Sequence, residues 1–379
     1  MLPHWLVILL SIVGGFIVLM LLIKAVFTCC IYRKNKYSLD LHGRVVLVTG
    51  GTSGIGLVTV EELLFRGATV VFTGRNEKAV REEILPSLKG KLKAVAASNK
   101  TSGYLSLEKD EPRTLCNSLE TGVWDEKGNF SSSNLYFRKV DQSNLNDMKT
   151  LAEWTSNQFE SIAQIICNAG QTNLTYKKSV QGLEFTIVVN HLSHMYLIDM
   201  LLDKLGDEGR IINVSSNAHY QYDNSPKKIE HWNQYFAPKP EEYSFFKAYG
   251  HSKLGNVLFT KALNQLFQSK GKNAKSASLH PGVVRTNIFL RPGCSAKTLY
   301  TVFFPIIWAT FMEVEQGAQT TLHCANVPFG ELESGGYYTN CSIKTPSKAV
   351  TQENILAFMR ESSKVLETVT GEKLKHFSS

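Results

Sequence analysis

The chain has 379 residues, 43% of them apolar, which is enough for one large buried core with additions. Its formal net charge is +8, but Lys24, Arg33, Lys34, Lys36 and Arg44 face Asp40 alone in the first 44 residues, so half of the excess flanks the N-terminal segment. The rest is spread over a mixed-charge body with no basic stripe of interleaved aromatics, which excludes a nucleic-acid partner.

From Trp5 to Ile23 nothing carries a charge, and the apolar run resumes from Ala25 to Tyr32 around Lys24. About 20 such residues span a bilayer's hydrocarbon. A cleaved signal peptide fits poorly: there is no basic n-region, the run is too long, and no small-x-small site follows. Residues 1–32 are therefore expected to form a single-pass signal anchor and 33–41 a basic linker. The cluster Arg33-Lys34-Asn35-Lys36 just after the span keeps the body, residues 42–379, in the cytosol by the positive-inside rule. Five Asn-x-Ser/Thr sequons, at Asn99, Asn129, Asn173, Asn213 and Asn340, argue the other way, for a lumenal glycoprotein.

Arg44–Thr49 is an apolar, β-rich run ending in a glycine-rich turn, followed by a helical pattern over Ile55–Arg66 and a second strand over Ala68–Thr73. This is one βαβ unit. Further strands are expected at Leu135–Val140, Ile162–Cys167, Arg210–Val214 and Lys275–His280, with helices at Asn144–Phe159, Leu183–Leu205 and Ser252–Gln268. Such alternation predicts an α/β fold, a Rossmann-like doubly wound parallel sheet preceded by a transmembrane helix. Residues 90–134, rich in Ser, Asn, Lys and Glu, read as a polar inserted surface loop. Residues 290–379 read as a substrate-side region, in which the aromatic patch Lys297–Phe311 walls an apolar pocket, dips into the membrane surface or packs as an ordinary buried helix.

The turn Thr49-Gly50-Gly51-Thr52-Ser53-Gly54-Ile55-Gly56 sits between strand and helix, where glycines let the backbone approach a pyrophosphate and the helix N-terminus meets its charge. The second strand ends at Thr73-Gly74-Arg75. An acidic residue there binds a ribose 2′-hydroxyl, whereas an Arg accommodates a 2′-phosphate, so Arg75 favours NADP(H) over NAD. Tyr249 and Lys253 are four apart, which on a helix puts an ammonium beside a phenol and lowers the phenol's pKa. The same spacing occurs at Tyr32/Lys36 and Tyr243/Lys247. Seven cysteines without a CxxC give no metal cage. His191, His194, His219 and His251 read as pocket lining or surface, not as metal ligands.

In these motifs the chain resembles the short-chain dehydrogenase/reductase family, in its membrane-anchored retinol dehydrogenase-like branch, from about Leu41 to Leu366 without the 90–134 insertion. The family's TGxxxGxG turn is met by Thr49, Gly50, Gly54 and Gly56, with Thr52, Ser53 and Ile55 in the same cofactor loop. Its acidic residue near the adenine is met by Asp141. Its NNAG motif is met by Cys167-Asn168-Ala169-Gly170, with Cys in place of the first Asn, and its helix Asn by Asn190. Its serine is met by Ser216, Ser215 facing the other side, and its Tyr and Lys by Tyr249 and Lys253. Val284 and Thr286, in the run His280–Thr286, resemble its loop over the nicotinamide. The loop Asn217–Tyr243 is longer than usual for the family and is expected to reshape the substrate entrance.

The resemblance implies hydride transfer between a nicotinamide and a carbonyl carbon, with Tyr249 handling the proton. Lys253 lowers the tyrosine's pKa and binds the ribose, Ser216 positions the substrate oxygen, and Asn190 carries a water relay. It selects Tyr249 among the three pairs, because only that tyrosine continues into a long apolar-periodic helix; Tyr243, six residues earlier, would face roughly 240° away around one helix. The expected function is a membrane-bound, NADP(H)-dependent oxidoreductase of lipid metabolism, in the endoplasmic reticulum with its catalytic domain cytosolic. Its substrate would be a lipophilic carbonyl or alcohol: a retinoid, a steroid or a lipid-derived aldehyde or ketone. The alternative is a catalytically idle, membrane-tethered binding or scaffolding protein. Assembly, as monomer or homodimer, stays open.

Overall fold

The computed structural model describes residues 3–26, 32–98, 111–222, 233–284 and 311–378. The six expected strands form as β1 (Val45–Val48), β2 (Thr69–Gly74), β5 (Leu135–Lys139), β6 (Ile162–Cys167), β7 (Leu205–Val214) and β8 (Ala274–His280). All pair parallel, in the order β8-β7-β6-β1-β2-β5. β9 (Gly336–Thr339) adds a parallel strand beside β8, and antiparallel β10 (Ser342–Lys344) closes that edge. The opposite edge is closed by the antiparallel hairpin β3 (Val123–Trp124) and β4 (Phe130–Ser131). The chain builds outward from β1 to β2 and β5, then returns to place β6 on β1's other side. That reversal opens a crevice beyond the C-terminal ends of β1 and β6, where open α/β sheets bind ligands.

Strand alternation feeds two cores. Leu47, Val71, Ile165 and Ile211 pack on one face with helices α5 (Leu145–Gln158), α6 (Ser193–Leu201), α7 (Phe245–Ser269) and α9 (Gln352–Thr370). Val46, Val48, Val70, Phe72 and Ile212 pack on the other with α2 (Gly54–Leu64), α3 (Leu85–Ser98), α4 (Glu111–Glu120) and α8 (Val314–Asn326). Full burial of one such side chain contributes about 1.5–3 kcal/mol, so both faces hold the sheet firmly.

The stretch expected as a surface loop differs from that reading. Residues 99–110 lie outside the described residues, but α3 runs on to Ser98, and α4 and the β3–β4 hairpin follow. Leu115, Leu119 and Phe130 are buried, and Trp124 packs on Phe130 and Phe137. A few apolar residues at helical spacing in a polar segment suffice to cap one sheet edge, though they give little periodicity. The patch Lys297–Phe311 lies outside the described residues except for Phe311.

Helix α1 (His4–Val26) precedes the body, with apolar side chains exposed from Phe16 to Val26. Among the described residues one run, Phe185–Lys204, is long and apolar enough to cross a membrane by length and composition, and it is buried in the body; the apolar stretch Gly14–Val26 of α1 is shorter. The linker is extended and docked: Arg33 N–H donates to Asn340 Oδ1 (2.6 Å), Asn35 N–H to Gln319 Oε1 (3.0 Å) and Tyr37 Oη to Glu331 (2.6 Å). Lys24, in the last turn of α1, pairs with Glu313 (3.0 Å).

Candidate active site

The crevice is a cavity of about 430 Å³. Every residue assigned from sequence to the cofactor lines it, except Thr286, which lies outside the described residues. The glycines are there for steric reasons. Gly50 (φ +66°) and Gly54 (φ +55°) take the left-handed conformation that other residues resist. A Cβ on Gly56 would lie 2.3 Å from Gly50 O and 2.4 Å from Asn168 Nδ2, so only glycine lets α2 start this close to β1. Asn168 braces the turn, its Nδ2 donating to Thr49 O (2.9 Å) and Gly50 O (3.1 Å). The side chain of Arg75, at the end of β2, is exposed and has no hydrogen bond or ion pair among the described residues, so its charge is available to an anion in the cavity.

At the cavity's other end stand Tyr249 and Lys253, one turn apart on α7. α7 begins at Phe245, earlier than the sequence pattern indicated, so both lie in continuous helix. The Lys253 ammonium is buried, donates to Val214 O (2.9 Å) and lies 5.6 Å from the Tyr249 ring centroid. Burial pulls its pKa down to about 8. The Tyr249 phenol moves opposite to expectation: burial raises its pKa, and a hydrogen bond from Ser216 pulls it partly back. The Lys253 ammonium donates instead to Val214 O.

Asn190 is fully buried in a π-turn, Val188–Leu192, that interrupts the helix between Glu184 and α6. Its Oδ1 accepts Gln171 N–H (2.8 Å), and its Nδ2 donates to Gln171 O (3.0 Å) and Ser252 Oγ (2.9 Å). A Cβ on Gly170 would sit 3.3 Å from Lys253 Nζ and 3.4 Å from Asn190 Oδ1, so the bare glycine brings those two groups together. The adjacent serines divide differently from the expectation that Ser215 faces away. Buried Ser215 lines the cavity and donates to Lys253 O (2.6 Å), while half-buried Ser216 is not among the lining residues, accepts Ala218 N–H (3.2 Å) and reaches the Tyr249 phenol with its own hydroxyl.

The rival tyrosines stand elsewhere, outside the helix that the sequence spacing assumed for Tyr243. Tyr243 precedes α7 in extended backbone, donates to Asn173 O (2.7 Å), and burial pushes it up to about 12. Tyr32 and Lys36 lie in the extended linker. Neither pair shares a helical face because neither pair lies within a helix.

The histidines expected as pocket lining or surface are neither: His191, His194, His219 and His251 are all at most 2% exposed, and none lines the cavity. Two of them hold site residues. His219 bridges Ser216 O (Nδ1, 2.6 Å) and Ser347 N–H (3.1 Å), and His194 lies between Thr49 Oγ1 (2.8 Å) and Asn190 O (3.2 Å). The only sequence signal for them was position, three residues after Ser216 and four after Asn190.

Residues 44–99 and 116–239 match the family model described as short chain dehydrogenase. Retinol dehydrogenase 11 of Homo sapiens is 31% identical over 320 residues, 84% of this chain and 84% of that protein. The short-chain dehydrogenase TIC 32 B, chloroplastic, of Brassica napus is 29% identical over 318 residues, 82% of this chain and 84% of that protein. Among solved structures, an uncharacterized protein from Mycobacterium paratuberculosis superposes with a TM-score of 0.59 at 22% identity, covering 89% of this chain and 97% of that one. That likeness concerns the fold alone.

Proposed function

This chain belongs to the short-chain dehydrogenase/reductase family, oxidoreductases of CH–OH and C=O groups, and from that membership we propose an NADP(H)-dependent enzyme acting on a lipophilic carbonyl or alcohol. The observation that carries the reading is one cavity at the switch point of the sheet, with the glycine turn and Arg75 at one end and Tyr249 and Lys253 at the other. The groups present suit a dinucleotide phosphate. The Gly56 cradle has no room for a Cβ, a helix N-terminus opens onto the cavity, and the Arg75 cation has no competing anion among the described residues.

The nicotinamide supplies the hydride chemistry when bound. The chain's residues do the rest. Tyr249 exchanges the proton of the substrate oxygen, and Ser216 orients that oxygen. Lys253, held by Val214 O, lines the cavity, where its ammonium would bind a ribose hydroxyl. Asn190 fixes the loop after β6 against α7 through Gln171 and Ser252. The lipophilic class rests on the retinol dehydrogenase relatives and on α1, whose exposed apolar side chains and flanking basic cluster favour a membrane anchor with the body cytosolic.

The Tyr249→Phe variant is expected to lose NADPH consumption with apolar aldehydes and ketones while binding NADPH nearly as well, and Tyr243→Phe to stay active. Normal turnover by Tyr249→Phe removes the assignment. For the topology, deglycosylation should leave the protein's size unchanged. One sequon is closed in any case, since Asn213 is 1% exposed in β7 and donates to Thr260 Oγ1.

A further inference from the structure

Thr49 Oγ1, at the C-terminal end of β1, accepts two backbone N–H groups from the loop after β6, Asn168 and Ala169, each at 3.0 Å. A hydroxyl has two acceptor positions and one proton. With both positions filled, the proton must leave towards an acceptor. Two stand nearby: His194 Nε2 at 2.8 Å and Ile166 O at 3.4 Å. The shorter, better contact makes His194 Nε2 a lone pair. The imidazole proton is then on Nδ1, which faces the main-chain carbonyl of Asn190 at 3.2 Å, an atom that can only accept. The other tautomer would give Thr49 Oγ1 a third donor and set a lone pair against a carbonyl. A charged ring would repair the second fault but not the first, and burial holds His194 neutral, pulling its pKa down to about 4.

The contacts close a ring. Thr49 holds the loop after β6 at Asn168 and Ala169, and that loop holds Asn190 through Gln171 in both directions. His194 runs from Asn190 back to Thr49. We infer that His194 is a positioning residue in the Nδ1–H tautomer, coupling the cofactor turn through Nε2 to the Asn190 carbonyl through Nδ1, so that cofactor binding depends on one ring nitrogen and turnover on the other.

The inference rests on the dehydrogenase reading but fails separately from it. The tautomer is read by ¹⁵N NMR of imidazole-labelled full-length protein in detergent micelles, which needs no turnover. A neutral Nδ1–H ring at neutral pH is expected; an Nε2–H or charged ring overturns the inference. Two substitutions then divide the ring's functions, because an Asn amide nitrogen reaches the place of Nδ1 and a Gln amide the place of Nε2. His194→Asn should weaken NADPH binding about tenfold with kcat within about threefold, and His194→Gln the reverse, the loss of one buried hydrogen bond in each case. Equal losses of both quantities in both variants, in step with Tm, would mean simple packing and overturn the proposal, as would no loss in either. An active Tyr249→Phe variant removes the dehydrogenase reading yet leaves the tautomer result standing.

Discussion

In the proposed NADP(H) enzyme, cofactor choice turns on Arg75. An exposed guanidinium at the end of β2, on the cavity and with no carboxylate paired to it among the described residues, attracts a 2′-phosphate and gains nothing from a bare ribose hydroxyl. Arg75→Asp reverses both terms, repelling the phosphate and accepting hydrogen bonds from the ribose, so kcat/KM should swing from NADPH towards NADH by on the order of a hundredfold. Unchanged preference in paired assays would remove Arg75 from the phosphate site. The tyrosine shows how far residue-level reading goes. Tyr249 is identified by motif and lies in the cavity, but the simple picture of a cation depressing its pKa fails for the protein groups alone, where desolvation of the phenol is the larger effect.

Among elements, the strand-to-helix junction is the least tolerant. Gly56 takes part in the first turn of α2 and sits against Gly50 O and Asn168 Nδ2, both rigidly placed. A methyl group there has to push α2 outward, at a cost of about 1–3 kcal/mol. Gly56→Ala is expected to lower Tm by several degrees and to weaken NADPH binding more than tenfold; wild-type values for both would show that α2 is not held as described. The six strands at the centre of the sheet were legible because buried parallel strands are short continuous apolar runs, and Ile162–Cys167 matches its expected bounds. The edge elements were not. β3 and β4 have two residues each, too few to carry a period, and β9 takes its place through pairing with β8. The π-turn at Asn190 was equally hidden, since it follows from how the helix packs and not from any residue type.

Over the whole molecule, buried imidazoles make the fold sensitive to acid. Burial pulls His191 and His251 down to about 3, and His194 and His280 to about 4. In the unfolded chain these rings take up protons near pH ~6.5. Below that pH, and down to the folded values, the unfolded state binds more protons than the native one, so stability falls as pH falls. Tm should drop by roughly 5–10 °C between about pH 7 and about pH 5, and a flat Tm over that range would contradict four neutral buried rings.

The sequence by itself determined the sheet's parallel centre, the glycine turn and the order of Asn190, Ser216, Tyr249 and Lys253, because each depends on local spacing and on chemistry with few substitutes. Only the tertiary structure decided which nitrogen of a histidine faces which partner, that Tyr243 stands outside the helix that carries Tyr249, and how the linker docks on α8 and the turn between β9 and β10. Those are matters of distance between segments far apart in the chain, set by the packing of two cores on one sheet, and no local pattern encodes them.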